Sequence, residues 1–422
     1  MKFKRFTKPD FLKQIGRELL GRFFDRFKDG LAEKKIELPA GALKDDEYFK
    51  ELSRVAMRPD GLPDDLFEAV YAIEEMATEE GQDRLERAVA NGDLPLVFDK
   101  ESSRGDMAMQ AFLEAPEVLA QKNNELRLAR LSSFEYYGSK KPVDRSDSFV
   151  APSKAALELI TADLDGWFRN NNRGEEGAFI EPYTIDGEFW FLVRHGDSYA
   201  RIAKLEKGRR LKMLHFRPAK DDVAVYDPAR DEIRIHAGTK GERELYQRTF
   251  GVRLFGDDKY FSERKAFTLD PLRADGAGAL EWDGGGDVER IVLREYEIAW
   301  DGGFRDSDIR RSDNVFASAE SRARKAIPEG GRLVRAAFDV YFGEGKKPRK
   351  VHVRPPNILK LGRYCDASVV QWWLSEKGFR ETVKAGAVGV APFALPLMPP
   401  PPRLTPVAPG GRGGLNGTGW EK

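Results

Sequence analysis

A change in the spacing of apolar residues partway along the chain constrains the fold most. Up to about residue 140, apolar residues recur at three- and four-residue steps, as in helices with one buried stripe. Phe11, Leu12, Ile15, Leu19, Leu20, Phe23, Phe24 and Phe27 follow Pro9, which suits a first helical turn, and precede Gly30, which suits a stop. The same spacing predicts helices over 45–57, 64–77, 82–90 and 106–137, the last open to a break at Pro116. In the 64–77 segment Leu66, Phe67, Val70, Tyr71 and Ile73 face inward, while Glu68, Glu74 and Glu75 face out.

A polar stretch over 138–148 reads as a linker. Ser153 then suits the N-cap of a helix that carries Leu157, Ile160, Leu164, Trp167 and Phe168 on one side. From about Phe179 the spacing becomes alternate, as in strands. Residues 188–194 and 199–205 flank His195-Gly-Asp-Ser198 and predict a hairpin; 209–216 predicts a third strand, halted by Pro218. A second hairpin is expected from 222–226 and 232–236, where Val223/Val225 and Ile233/Ile235 alternate. A helix over 240–255 and strands over 266–269, 278–282 and 288–300 follow. Next come a helix over 315–326, a hairpin of 333–342 with 350–354, and a last helix capped by Asp366. Beyond about residue 384, Pro396, Pro399–Pro402, Pro406 and Pro409 lead into Gly-Gly-Arg-Gly-Gly, a composition that builds no core and predicts a disordered tail.

The expected fold class is therefore α+β, with a mostly antiparallel sheet and an inserted helix. Four regions are predicted: a helical domain over 1–140, a central α+β domain over 150–304, a basic hairpin–helix region over 305–384 and the tail over 385–422. With 41% of its residues hydrophobic and 33% charged, the chain can bury a core under a heavily charged surface. No apolar run approaches the ~18 residues of a membrane span. The basic start lacks the apolar stretch of a signal peptide, because Asp10, Lys13, Gln14 and Arg17 interrupt it. The expectation is a cytoplasmic protein of prokaryotic style that does not contact a membrane.

A net charge of +0 conceals a segregation. Residues 44–87 hold 14 acidic and 6 basic residues, a balance of −8, and 305–363 hold 15 basic and 7 acidic, a balance of +8. Charges are felt over only about 8 Å at physiological salt, so two such segments act as separate surfaces if they lie apart. In the basic segment, Lys346, Lys347, Arg349 and Lys350 crowd one hairpin tip, backed by Arg354, Lys360 and Arg363. Cations projected in this way suit a phosphate backbone.

Other chemistry is thinly represented. The single cysteine, Cys365, excludes an internal disulfide and a thiolate metal cluster within one chain. His195, His215, His236 and His352 show no paired metal-ligand spacing, so no metal or other cofactor is expected. Asp257 and Asp258, with Glu263 and Lys265 at a strand start, contain the residue types of a magnesium-dependent nuclease, and Mg²⁺ would be required only in that case. His195-Gly-Asp-Ser198 joins the residue types of a triad, yet residues of one tight turn do not reach triad geometry, and turn chemistry explains them. Phe189, Trp190, Phe191, Tyr199, Phe216 and Tyr226 offer stacking surfaces unless both sheet faces are covered.

These features favour a binding or adaptor protein over an enzyme. It would contact nucleic acid through the basic segment and a protein partner through its helical half. The alternatives are a metal-dependent nuclease or phosphoesterase, and a purely protein-interacting module that pairs acidic and basic patches between copies.

Overall fold

The helical spacing is realised in a first run of helices. The computed structural model describes residues 4–58, 61–174, 177–206, 208–284, 288–343, 348–362 and 367–381. The run comprises α1 (Pro9–Ile15), α2 (Arg17–Asp25), α3 (Lys28–Glu33), α4 (Asp45–Val55), α5 (Asp64–Met76), α6 (Glu79–Ala90), α7 (Arg104–Glu114) and α8 (Pro116–Ala129). Pro9 and Pro116 each open a helix, where a missing N–H costs nothing. Ser103 and Asp106 close the start of α7 with a capping box. Leu12, Leu20, Phe23, Leu66, Ile73, Leu85 and Leu119 are enclosed in a core that belongs to these helices alone. The acidic residues pair locally, Asp46 with Lys13 at 2.7 Å and Asp45 with Arg17 at 2.9 Å. No ion pair between described residues joins 44–87 to 305–363.

The chain then turns to strands earlier than its spacing predicts. Residues expected to continue a helix to 137 instead form β1 (Ser133–Ser139). Tyr136 and Tyr137 are both buried because β1 is covered on both faces. After α9 (Lys154–Asn170) come β2 (Phe179–Ile185), β3 (Glu188–Gly196), β4 (Ala200–Glu206), β5 (Arg210–Phe216), β6 (Ala219–Asp227) and β7 (Glu232–His236). They are followed by α10 (Lys240–Phe255), β8 (Phe261–Glu263), α11 (Pro271–Ala274), β9 (Val288–Ala299), β10 (Ser307–Arg311) and α12 (Val315–Glu320). The described elements end with β11 (Arg332–Phe342), β12 (Arg349–Arg354), β13 (Ile358–Leu361) and α13 (Ala367–Glu376).

Eleven strands make one antiparallel sheet in the order β10-β9-β11-β12-β13-β1-β7-β6-β3-β2, with β8 also on β1. The α+β expectation holds. One face of this sheet is buried from β9 across to β3. Trp190, Leu192, Val223, Val225, Phe134, Leu359, Val353, Phe338 and Leu293 alternate onto it and meet Leu272, Val315, Trp373 and Phe379. Among the described residues the opposite face is covered by helices only over β1, β7, β6 and β3, where Tyr137, Ile235, Tyr226 and Phe191 pack on Ile160, Leu164, Leu245 and Phe250 of α9 and α10. Phe191 and Trp190 point to opposite faces and both are buried with Tyr226, so these aromatics belong to the core, whereas Tyr199 and Phe216 are exposed.

Several sequence expectations change. β3 and β4 do not form a hairpin: β3 pairs with β2 and β6, while β4 pairs only with β5. His195 is a buried strand residue, so the turn expected at 195–198 begins only after it. Residues 276–280 form a 3-10 turn, and 266–269 contribute a single bridge, Phe267 to Arg380. The tail expected over 385–422, Cys365 and the Asp366 cap lie outside the described residues. No helix among the described residues is long and apolar enough to cross a membrane.

Arg380 ties the end of the described chain to the sheet. Its guanidinium is buried, pairs with Glu232 on β7 and lies 5.2 Å over the ring of Tyr136 on β1. Removing one partner of a buried pair leaves the other charge uncompensated. We expect Arg380→Ala to cost about 3–5 kcal/mol in urea unfolding. Replacing both partners, Arg380→Met with Glu232→Leu, should cost less than the single change.

Candidate functional site

Where β3 and β6 run together, four strand residues and two helices enclose a cluster of charge. The register sets His195 opposite Lys220 and Val193 opposite Asp222. Alternation would send Lys220 and Asp222 to one face, the one that α10 covers. Glu242 reaches them from the first turn of α10. A capping box fixes it there: Thr239 Oγ1 accepts from the Glu242 N–H, and the Thr239 N–H donates to Glu242 Oε2 at 2.8 Å.

The partners are closely matched. His195 Nε2 and the Tyr246 hydroxyl both donate to Asp222 Oδ2, at 3.0 and 2.9 Å. Lys220 Nζ donates to Glu242 Oε2 at 2.8 Å and lies 3.2 Å from Asp222 Oδ1. Arg173 joins Asp197 at 3.2 Å and approaches Glu242 at 3.9 Å. The ring of Phe168 on α9 stacks on His195 at 4.2 Å. A Cβ added to Gly238 would stand 2.9 Å from Lys220 Nζ, so any larger residue there requires the ammonium to shift. Burial pushes the Asp222 carboxyl up, but the His195 hydrogen bond and the Lys220 charge outweigh it and hold the group below its ordinary value. Burial and the Asp222 charge hold the Tyr246 phenol well above its own.

His195, Asp222 and Glu242 bring ligand atoms within 4.8 Å of one another, a spacing that a divalent cation can use. The charge such an ion would bring is already there, because Lys220 lies between the two carboxylates and Arg173 beside one of them. The cluster is a buried ion network in which Asp222 Oδ1 and Glu242 Oε1 have charge neighbours but no hydrogen bond, and it sits at the root of a projection. β3 leaves through Gly196, β6 enters at Ala219, and the β4–β5 ribbon rises between them. Asp197 N–H donates to the Pro218 carbonyl at 2.8 Å, continuing the β3–β6 ladder to the base of that ribbon.

The residues singled out in the sequence lie elsewhere. Asp257 and Asp258 are exposed in the turn after α10, where Asp257 Oδ1 accepts from the Lys259 N–H at 2.8 Å. Glu263 is exposed at the end of β8 and Lys265 just beyond it. Among the described residues no hydrogen bond or ion pair brings these four together. Lys350 and Arg354 are exposed on β12 and Lys360 on β13; Arg349 is half-buried at the start of β12. Lys346, Lys347 and Arg363 lie outside the described residues. Sequence reasoning missed the network, although Thr239-x-x-Glu242 is a legible capping box and Lys220-Asp-Asp222 a dense charge triplet.

The fold and its charged surfaces define a mixed α+β protein with one large antiparallel sheet and a two-stranded projection. Compared with known proteins, the chain matches no family model and no curated protein.

Asp222 sets a pH dependence. A carboxylate held below its ordinary value contributes stability that is present above its unfolded value, about 3.9, and lost as pH falls through the lower folded value. Asp222→Asn should cost about 3–5 kcal/mol near pH 7. Urea midpoints measured down to acid pH should show the gap between parent and variant closing only below about pH 3.9.

Proposed function

We propose that the protein binds nucleic acid through the uncovered face of the β9–β13 half of its sheet. The observation that carries this reading is a group of basic side chains on neighbouring strands. Lys350, His352 and Arg354 alternate with buried Val351 and Val353 along β12, and Lys360 of β13 is paired opposite His352. Lys350, Arg354 and Lys360 are exposed and make no ion pair among the described residues.

The surrounding carboxylates are already matched. Asp339 is 3.3 Å from Arg294, Glu297 is 3.3 Å from Arg335, and Glu295 is paired with both Arg335 and Arg311. A surplus of positive charge is left on the face. His352 responds to it: burial first, then the Lys360 and Arg335 charges, hold its imidazole below the ordinary value. Arg290 lies 4.2 Å over the ring of Tyr341 on the same face. An extended polyanion complements such a surface, and its binding gains from released counterions.

The test is affinity for labelled nucleic acid across a salt series. Neutralising three phosphate contacts with Lys350→Ala, Arg354→Ala and Lys360→Ala should lower the slope of log K against log salt by about 2.7 for a duplex, at about 0.9 per contact. An unchanged slope in a folded triple variant overturns the reading.

A further inference from the structure

We propose that the β4–β5 ribbon is an arm that enters the major groove of duplex DNA. This is a second surface, separate from the basic sheet face, and its argument stands on different residues. Among the described residues β4 and β5 bond to each other and to no other strand. An isolated two-stranded hairpin is marginal in water, so a ribbon left uncovered on both faces is a surface that something else must complete.

The residues specify what completes it. Arg201, Lys204, Arg209, Arg210 and Lys212 are exposed, against one carboxylate, Glu206. None of these five cations is in an ion pair among the described residues. Lys204 is directly opposite Lys212 in the ladder. Like charges in that position destabilise a free hairpin, and an anion brought between them removes the penalty.

The apolar residues divide between the two sides. Ala200, Ile202, Leu214 and Phe216 share one side with Lys204 and Lys212, and Ala203, Leu205, Leu211 and Met213 lie on the other, so facing pairs brace the ribbon across its strands. A ribbon about 5 Å between strand axes fits a groove about 12 Å wide, whereas the major groove of duplex RNA is too narrow for side chains to read. Seven residues per strand reach roughly 23 Å. The base is rigid. A Cβ on Gly196 would meet Arg217 at 2.7 Å, and Arg217 in turn lies 5.1 Å over the Tyr199 ring. The buried ion network of His195, Asp222 and Glu242 lies directly beneath.

The experiment uses the full chain with a DNA duplex of about 20 base pairs and the RNA duplex of the same sequence, and reads methylation of guanine N7, an atom of the major groove. The parent should bind the DNA duplex more tightly than the RNA and protect N7 positions. Lys204→Glu with Lys212→Glu should weaken DNA binding by about tenfold or more, remove the preference over RNA and abolish the N7 protection. Replacing residues 199–216 by a short glycine-containing turn between β3 and β6 should do the same, and thermal melting checks that each variant is folded. Unchanged affinity and protection in the folded charge-reversed variant overturn the arm. So does a parent dimer that dissociates on loss of the ribbon while its DNA affinity is kept, which would make the ribbon a contact between copies. The Lys350, Arg354 and Lys360 triple variant separates the two surfaces: if the sheet face alone binds, the triple variant loses affinity and the ribbon variants do not.

Discussion

One strand makes the sheet a single object. β1 lies between β13 and β7, accepting two partners from more than 90 and more than 200 residues downstream, and β8 adds to the same strand. Without it the β10-to-β13 strands and the β7-to-β2 strands would be two open sheets, each with an apolar edge. β1 is also joined to the helical half by the few residues after α8. The N-terminal helices have their own core, yet the chain leaving them is fixed at the middle of the sheet. Tyr136 is buried there between Phe267 at 5.1 Å and the Arg380 guanidinium.

Charge is buried around this frame in a consistent way. Arg234 forks onto Glu188 and lies between the rings of Phe134 and Trp190, Arg380 meets Glu232, and Asp231 receives the hydroxyls of Tyr226 and Tyr260. Desolvation makes such pairs poor sources of net stability, and their use is to admit one arrangement and penalise others. The network under the ribbon does this where it matters most. A two-stranded projection has no core to hold its direction, so its orientation is inherited from the β3–β6 ladder and from what clamps that ladder to α9 and α10.

The parts legible in the sequence were those written in local spacing. The α5 stripe of Leu66, Val70 and Ile73, the alternation of Val223/Val225 against Ile233/Ile235, and the Leu333–Phe342 hairpin strand each depend on a side chain's own period. Pairing partners are not written that way. Residues 199–205 read as a strand, but nothing local says whether their partner is 188–194 or 210–216. β1 was hidden because Phe134, Tyr136 and Tyr137 follow a long helical run, and a strand buried on both faces loses its alternation. The ion network was out of reach for a related reason: Arg173, His195, Asp222 and Glu242 are dispersed in sequence, and only the folded ladder and the α10 cap bring them together. The basic residues on β12 and β13 were visible as charge, and their uncovered face became visible only with the sheet order.

The position of β1 also governs how the molecule comes off the ribosome. The Asn357 side chain that bonds the Tyr136 carbonyl is 221 residues downstream of it. At about 5–20 residues per second, roughly 11–44 s pass between the synthesis of β1 and that of its β13 neighbour. The N-terminal helices can bury their own core during that interval. β1 cannot: one side of it waits, a row of unpaired backbone groups flanked by Phe134 and Tyr136. A nascent chain of this design has a finished half tethered to an unfinished edge, and its yield in a cell depends on how well that edge is shielded until the last strand arrives.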